Sequence, residues 1–571
     1  MKSKYIRNIN AESDALHLGM GWNKKDLEKP QIIIESAYGE SHPGSSHLLD
    51  LSLVARDGVL EAGGQPAIFM VTDICDGVAQ GNKGMELSLL SRDFMAAMIE
   101  IQVSTSMCDG LLLISSCDKS LPAHLLAAAR LNVPTIVIPG GCMIAGGHFL
   151  GCDQMWELRR KKEKGELSEI EFAAYEAAAC PSAGACQMMG TAGTMQVLAE
   201  SLGLALPGSA LIPTCNNELK RAAKQAGKQL LYLVEQGINA REILTKEAFE
   251  NAITVHAAVG GSTNAILHLL AIANEAGVKL DVEVFDRIHK HTPYLTNVLS
   301  TGQFPTEFFW YAGGVPALMV EIRDLLHLDV LTITGKTLGE NLEAWITSER
   351  RYYQESFLAN YCISKSEVIR PRSNPIGDDG GIAILKGNLA PMGAVIKHSA
   401  VDPEMRHHIG LARVFLQEDE AIKALYSGAI HEGDVIVIPY QGPKACGMPE
   451  MFRISDAIAS NPRLARTTAV ITDGRYSGCT RGPAIGYVSP EAFDGGPLAL
   501  VRDNDVIEID IPKRQLNLIG EAGISEGVKR GEGILAARAV GWRRPELSEK
   551  RGALGIYQKL VKPSLSGAFM I

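Results

Sequence analysis

The stretch LLLISSCDKSLPAHLLAAARL, residues 111–131, runs from an apolar strand-like segment through the tripeptide CDK into a segment with helical spacing. A short apolar run that turns into a helix is the first half of a βαβ unit. The same alternation of short apolar runs and helix-length segments continues from about residue 30 to residue 360. We therefore expect an α/β N-terminal domain, residues 1–365, built around a parallel sheet.

The sequence after about residue 365 has a different pattern of predicted secondary structure. Short β-rich segments such as GDVIVIPYQGP (433–443) and TTAVITDGRYSG (467–478) are separated by Gly, Pro and Asp turns. This pattern predicts a mostly β, barrel-like C-terminal domain, residues 366–571. A chain of 571 residues is too long for one compact core, in agreement with two domains.

Composition and charge exclude several classes of protein. A formal net charge of −10 and a pI near 5.8 provide no basic field for a phosphate backbone, so we expect no nucleic-acid partner. No apolar run reaches the roughly 18 to 20 residues of a membrane span, and MKSKYIRNINAESD lacks the apolar core of a secretory signal. We expect a cytoplasmic protein with no membrane contact. Its 11 cysteines, an odd number without framework spacing, disfavour disulfides.

Two Cys-Asp pairs follow predicted strands. One, at 75–76, comes after AIFMVTDI, and the other, at 117–118, comes after LLLISS. Ligands of open α/β sheets bind beyond the carboxyl ends of the strands. Cys186 lies in a third, glycine-rich segment, PSAGACQMMGTAGTM (181–195). Three thiolates on three loops suit a soft metal or an iron–sulfur cluster, and the carboxylates suit a hard cation such as Mg²⁺, so the pattern predicts two metal sites in contact.

Each of these residues also has a purely structural interpretation. A cysteine after a strand is most often a packing residue, and only the repetition of Cys-Asp at two strand ends raises the metal-ligand interpretation to even odds. Asp118 and Lys119 alone could form a surface ion pair. Asp76-Gly77 alone could be a simple turn.

The β-rich half contributes Glu450 and Ser477, both in loops that leave strands. Glu450, in the apolar segment GMPEM, is either a residue stabilised by a helix N-terminus or a metal ligand. Ser477, flanked by glycines, is by default a turn serine. The segments GGSTN (260–264) and AGGVPA (312–317) fit tight turns or anion-binding loops, and neither is a nucleotide-binding fingerprint.

Eight segments occur in order along almost the whole chain: CDGVAQGNKGMELSLLSRD, SSCDKSLPA, GACQMMGTAGT, VGGSTNAILH, GNLAPMGAVIK, GMPEM, ITDGRYSG and SPEAFDGGPLALV. Together they resemble the dihydroxy-acid and sugar-acid dehydratases, the family that includes 6-phosphogluconate dehydratase. The resemblance implies an iron–sulfur cluster, a neighbouring Mg²⁺ and removal of water from a 2,3-dihydroxy acid to give a 2-keto-3-deoxy acid. It also implies a homodimer or homotetramer.

The resemblance further implies roles for individual residues. Cys117 and Cys186 match the cluster cysteines of the family, and Ser477 matches the serine that accepts the proton. Four residues match the Mg²⁺ ligands, the last of them as a carbamate: Asp76, Asp118, Glu450 and Lys119.

One departure from the family concerns the cluster. Members with a [2Fe–2S] cluster have an early cysteine in a P-C-N turn, whereas this turn reads HPGSSHL, with Gly44 at that place. Cys75, just before the Asp-Gly, compensates for the missing ligand, so the expected set is Cys75, Cys117 and Cys186. Three protein ligands leave one iron of a [4Fe–4S] cluster free for the departing hydroxyl, which favours [4Fe–4S] over [2Fe–2S].

The resemblance points to two substrate branches. Four segments are similar to bacterial D-xylonate dehydratases: GMGWNKKDLEKP (19–30), PSAGACQMMGTAGTMQVLAESLGLALPGSALIP (181–213), REILTKEAFENAITVHAAVGGSTN (241–264) and ITGKTLGENLEAWITSERR (333–351). The segment RGPAIGYVSPEAFDGGPLALV (481–501) is similar to the dihydroxy-acid dehydratases of branched-chain amino-acid biosynthesis. We expect a sugar-acid substrate, D-xylonate first, with the branched-chain enzyme as the alternative. A non-catalytic iron–sulfur sensor is the alternative from another class, although it would need neither a Mg²⁺ site nor a base.

Overall fold

A computed structural model of the chain describes residues 1–478, 480, 482–546 and 550–570. The strands of its N-terminal unit are β1 (Gln31–Ser36), β2 (Gln65–Met70), β3 (Gly110–Ser115) and β4 (Thr135–Pro139). They pair in the order β2-β1-β3-β4, all parallel. Every residue of β1, β3 and β4 is buried, as expected for a parallel sheet covered on both faces. The predicted α/β unit with a parallel sheet is confirmed.

The helices of this unit surround the sheet and extend beyond it. They are α1 (Lys2–Ile9), α2 (Ser13–Gly19), α3 (Lys24–Glu28), α4 (Leu48–Glu61), α5 (Asp76–Ala79), α6 (Ser88–Ser104), α7 (Ser120–Leu131), α8 (Met155–Glu163), α9 (Glu169–Ala179), α10 (Thr191–Ser201), α11 (Glu218–Gln236), α12 (Ala240–Ile243), α13 (Lys246–Val259), α14 (Asn264–Ala276), α15 (Val282–His291), α16 (Thr306–Tyr311), α17 (Gly314–Glu321), α18 (Leu338–Ile346), α19 (Glu349–Ala359) and α20 (Lys365–Val368). None of the helices in the described part of the chain combines the length and apolar character needed to cross a membrane.

Helices α4 and α11 cross at very short range because each has a glycine at the contact. A Cβ on Gly58 would lie 2.1 Å from the carbonyl oxygen of Lys224, and one on Gly227 would lie 2.3 Å from that of Ala55. Only hydrogen fits at both positions, so this crossing depends on glycine for close approach rather than for a special backbone conformation.

The segment that leads to Cys75, the first of the predicted site residues, follows β2. The apolar run AIFMVTDI predicts a strand up to Ile74, but β2 ends at Met70. The side chain of Asp73 is 1% exposed and accepts hydrogen bonds from the Ile74 backbone N–H at 2.8 Å and from Ser120 Oγ at 2.9 Å. A side chain that bonds the local backbone in this way competes with strand pairing, so the last residues before Cys75 form a loop.

The C-terminal unit is built on one mixed, curled sheet. Its strands are β5 (Ala383–Leu385), β6 (Gly393–Ile396), β7 (His407–Val414), β8 (Val435–Ile438), β9 (Ala469–Thr472), β10 (Ala484–Ser489), β11 (Val506–Asp510), β12 (Gln515–Glu521) and β13 (Ile524–Ser525). They pair in the order β13-β12-β11-β7-β8-β9-β10-β6-β5. A single bridge between Lys386, after β5, and Gln515, in β12, draws the two ends of the sheet together. The β-rich prediction is confirmed.

The middle of this sheet is parallel, which the turn-rich sequence did not indicate. Strands β7 to β10 run parallel to one another, and helices lie in the chain between β7 and β8 and between β8 and β9. The helices of this unit are α21 (Glu418–Tyr426), α22 (Pro443–Cys446), α23 (Phe452–Ala459), α24 (Val528–Gly541) and α25 (Gly552–Leu560). Because β8 and β9 are parallel, the loops that follow them leave the same edge of the sheet.

A segment near residue 570 is fastened to the N-terminal unit by buried polar contacts. Arg92 donates hydrogen bonds to the carbonyl oxygens of Gly567 and Ala568 at 3.1 and 2.7 Å, and Asp93 accepts one from the Met570 backbone N–H at 2.9 Å. Arg92 and Asp93 are themselves an ion pair at 3.0 Å. We call residues 92, 93 and 567–570 the tail clamp.

The substitution Arg92→Met tests the tail clamp. It leaves the buried Asp93 carboxylate without its counter-ion, so we expect the free energy of unfolding to fall by about 3 to 5 kcal/mol, measured by urea denaturation. Arg287→Met is the control, since Arg287 is 59% exposed and its pair with Glu250 is at the surface. It should cost less than about 1 kcal/mol. Equal losses in the two variants would show that the clamp adds nothing.

Candidate active site

A cavity of about 340 Å³ lies between the two units. The loops after β2 and β3 bound one side of it, and the loops after β8 and β9 bound another. Its lining includes seven residues singled out from the sequence: Cys75, Asp76, Cys117, Asp118, Cys186, Glu450 and Ser477. The eighth, Lys119, is fully buried and donates a hydrogen bond from Nζ to Asp76 Oδ2 at 2.7 Å. The structure therefore brings all eight residues to one place.

Thiols form one part of the lining. Cys75 precedes α5, Cys117 follows β3, and their thiols are hydrogen-bonded to each other. This bond lowers the pKa of Cys75 to about 7, and the same bond together with burial raises the pKa of Cys117. Cys75 is therefore the first of the two to ionise, and the thiolate is the form that binds a soft metal.

Two further cysteines line the cavity and were missed from the sequence. Cys152 is hydrogen-bonded to Cys180 and to Cys186. Cys180 opens the segment CPSAGAC, which ends at Cys186, and this recurrence was a usable signal. Cys152 is also followed by an aspartate, Asp153, but this Cys-Asp pair does not come directly after a strand, and the tertiary fold brings its thiol to the others.

Carboxylates form another part of the lining, and Asp76 is the most strongly paired of them. It accepts hydrogen bonds from Lys119 Nζ and from Ser88 Oγ at 2.6 Å. Burial raises its pKa, but the charges of Lys119 and Arg475 outweigh burial and hold the pKa of Asp76 well below its ordinary value. Asp76 is therefore ionised at neutral pH.

Asp118 and Glu450 differ from Asp76. Burial raises the pKa of Asp118 to about 7, and repulsion from Asp76 adds to the rise. Burial also raises the pKa of Glu450, although Arg475 opposes it. These carboxylates supply hard oxygen donors in a buried place where negative charge is in excess. That donor set fits a Mg²⁺ ion.

Arg475 is the main residue of the site that the sequence did not reveal. It is fully buried, and it donates hydrogen bonds to Glu450 Oε1 and to Ser88 Oγ, the latter at 2.8 Å. It also forms an ion pair with Asp76 at 3.5 Å. Its place two residues before Ser477 in ITDGRYSG was the one available hint. Arg475 fixes two carboxylates from different units in one arrangement.

Both glycine-rich segments contain turns next to helix ends. Gly260 ends α13 with a left-handed φ of 63°, and Gly313 separates α16 from α17 with a φ of 102°. The last residue of GGSTN is nevertheless part of the site. Asn264 donates a hydrogen bond from Nδ2 to Glu450 Oε1 at 2.7 Å and accepts one from the Tyr487 hydroxyl at 2.7 Å.

Soft thiols and hard carboxylates that meet beyond the ends of parallel strands define a metalloenzyme site with two kinds of metal donor. Comparison with known proteins then identifies the family. Residues 29–341 match the family model described as Dihydroxy-acid/6-phosphogluconate dehydratase N-terminal, and residues 367–568 match the corresponding C-terminal model. The chain belongs to the dihydroxy-acid/6-phosphogluconate dehydratase family. It is a hydro-lyase, and its family uses an iron–sulfur cluster and Mg²⁺.

Relatives similar over nearly the whole chain carry the name dihydroxy-acid dehydratase. The protein of that name from Halothermothrix orenii is 43% identical over 562 residues, with 97% of each chain covered. Those from Acetivibrio thermocellus and Clostridium novyi are each 42% identical, with 97% and 100% of each chain covered.

These relatives correct the substrate prediction. The expectation of a sugar acid, with D-xylonate first, is wrong, because the similar full-length relatives are named dihydroxy-acid dehydratases. Two of the segments that suggested D-xylonate, 241–264 and 333–351, form mainly α13 and α18 and do not line the cavity. The segment 181–213 does line it, through Cys186 and Met188 among others, so similarity in these segments did not identify the substrate.

The substitution Arg475→Lys tests the role of the buried guanidinium. Lysine keeps the charge but lacks the planar fork that reaches two carboxylates, so we expect kcat/KM for dehydration to fall about 10- to 100-fold. Arg413→Lys is the control, because Arg413 pairs with Asp434 away from the cavity. Kinetics of both reconstituted variants, after their melting curves have been matched, give the comparison. Equal activities would remove Arg475 from the site.

Proposed function

We propose that the protein dehydrates branched-chain 2,3-dihydroxy acids to 2-keto acids, as a dihydroxy-acid dehydratase of branched-chain amino-acid biosynthesis. The observation that carries the proposal is the apolar part of the cavity lining, which includes Val78, Met143, Trp156, Met188 and Phe452. An apolar wall suits an alkyl tail, whereas a polyhydroxylated tail needs hydrogen-bonding side chains along its length. The names of the full-length relatives support the same substrate class.

Trp156 and Phe452 form the bulkiest part of this wall. Their rings meet edge to face with centroids 5.9 Å apart. Trp156 lies in α8 of the N-terminal unit and Phe452 begins α23 of the C-terminal unit. A substrate in the cavity would therefore contact both units.

We propose that the two units are domains, with the boundary between residues 365 and 366. We also expect a homodimer or homotetramer, and light scattering would test this prediction.

Cys75, Cys117 and Cys186 are the proposed cluster ligands. Three loops carry them to one cavity, and glycine at position 44 keeps the surroundings of Cys117 open, since a Cβ there would make a tight contact of 3.1 Å with Cys117 Sγ. We propose a [4Fe–4S] rather than a [2Fe–2S] cluster, because the early cysteine of the [2Fe–2S] members is replaced by Gly44 and three cysteines leave one iron of a [4Fe–4S] cluster without a cysteine ligand.

Asp76, Asp118, Glu450 and a carbamylated Lys119 are the proposed Mg²⁺ ligands. When bound, Mg²⁺ would stabilise the charge that develops on the substrate carboxylate and C2 oxygen, and the cluster would draw off the C3 hydroxyl. Ser477 is the proposed acceptor of the C2 proton. Ser477 lines the cavity together with Asp76, Asp118 and Glu450, and a neighbouring divalent cation lowers the pKa of an oxygen group.

The substrate class is tested by anaerobic turnover of the full-length protein after reconstitution with iron, sulfide and Mg²⁺. We expect 2,3-dihydroxyisovalerate to form its 2-keto acid faster than D-xylonate or D-gluconate, because its alkyl tail matches the apolar wall. A preference for either sugar acid would overturn the substrate assignment. If protein that holds its cluster turned over none of the three acids, the result would count against a catalytic function.

The substitution Ser477→Ala tests the proton acceptor. We expect turnover to fall about 10²- to 10⁴-fold, the usual contribution of a general base, while the visible absorbance of the cluster is retained. Ser455→Ala is the matched control, since Ser455 is buried in α23 and donates its hydroxyl to the Phe452 carbonyl oxygen at 2.7 Å. Turnover should change less than about twofold there, within the range of ordinary surface or helix substitutions. Unchanged turnover in Ser477→Ala would show that Ser477 is not the proton acceptor.

A further inference from the structure

A histidine lies beside the thiols, and no role has been given to it. One ring nitrogen of His42 and the Sγ atoms of Cys75 and Cys117 all lie within 4.8 Å of one another. Metal–sulfur and metal–nitrogen bonds are about 2.3 and 2.0 to 2.1 Å long, so donors at this spacing can reach one metal centre. His42 belongs to the HPGSSHL turn, the same turn that lacks the early cysteine.

Nδ1 is the nitrogen available to the thiols, because Nε2 is engaged with Ser45 Oγ. His42 is 5% exposed, and Nδ1 has no hydrogen-bond partner among the residues that the structure describes. A buried polar atom left without a partner is unfavourable. The thiols that surround Nδ1 are the proposed cluster ligands, so a metal is the partner that this site offers.

The other ring nitrogen is held by the protein. His42 Nε2 lies 3.2 Å from Ser45 Oγ and 3.9 Å from Asp73 Oδ2. Asp73 is in turn fixed by the hydrogen bond from Ser120 Oγ. A carboxylate behind a histidine is the usual arrangement at metal sites, where it sets the ring orientation and leaves the opposite nitrogen free to bind the metal.

Gly44 connects this histidine with the missing cysteine. A Cβ on Gly44 would lie 3.1 Å from His42 Nδ1 and 3.1 Å from Cys117 Sγ. A cysteine at position 44 would therefore compete with the imidazole for the same space. With glycine there, the imidazole occupies the position next to Cys117.

We propose that His42, through Nδ1, is a nitrogen ligand to the iron–sulfur centre held by Cys75 and Cys117. The inference rests on the cluster assignment made above. In the resting enzyme His42 takes the coordination position that the three cysteines leave, and the C3 hydroxyl of a bound substrate would have to displace it there. Imidazole is an established ligand of iron, and histidine in place of cysteine raises the reduction potential of an iron–sulfur cluster.

Pulsed EPR of the reduced, reconstituted full-length protein tests the proposal through the cluster itself rather than through activity. Protein labelled with ¹⁵N only in histidine should show ¹⁵N coupling to the cluster spin. His42→Cys should keep the cluster, lose the coupling and lower the reduction potential. His42→Ala should lose the coupling and bind less iron. His47→Gln is the control and should keep the coupling, because His47 Nε2 is engaged with the Gly140 carbonyl oxygen at 2.7 Å.

The outcomes separate this inference from the function on which it rests. A wild-type cluster without histidine coupling, or coupling that persists in His42→Cys, would overturn the role of His42 and leave the dehydratase proposal intact. Wild-type protein that assembles no cluster would overturn both. Should His42→Ala fail to fold, His42→Cys alone decides, since it preserves a metal-binding side chain at this position.

Discussion

Opposite charges buried between the two units are the constraint on which the site depends. Arg475 comes from the C-terminal sheet and Asp76 from the loop beyond the N-terminal sheet, and the guanidinium also holds Glu450. Removing one member of such a group leaves an uncompensated charge away from water. Neither loop can shift alone without that cost, so the thiols, the carboxylates and the apolar wall keep fixed positions relative to one another.

Much of this arrangement could be predicted from local patterns. Strands covered on both faces leave continuous apolar runs, which is why residues 111–131 identified β3 and α7 correctly. Because the loops after parallel strands leave one edge of the sheet, two Cys-Asp pairs in such loops had to lie close together. The parallel centre of the second sheet was not predicted, since VIVI and AVIT are too short to distinguish parallel from antiparallel pairing.

The rest of the site depends on contacts between distant parts of the chain. Arg475 meets Asp76 across 399 positions, and Asn264 meets Glu450 across 186. No periodicity or spacing encodes such pairs. The apolar wall also depends on contacts between distant parts of the chain, because Trp156 and Phe452 come from different units. Similarity in long continuous segments therefore suggested the wrong acid, because the residues that line the cavity come from many separate parts of the chain.

The tail clamp also has a consequence for the order of events during synthesis. Asp93 and Met570 are 477 positions apart. At about 5 to 20 residues per second, the ribosome makes the second partner roughly 24 to 95 s after the first. Throughout that interval Arg92 and Asp93 lack their final hydrogen bonds, and for most of it the proposed cluster cysteines, the last of them Cys186, have already been made. A nascent chain thus exposes its thiols well before the fold that shelters them is closed.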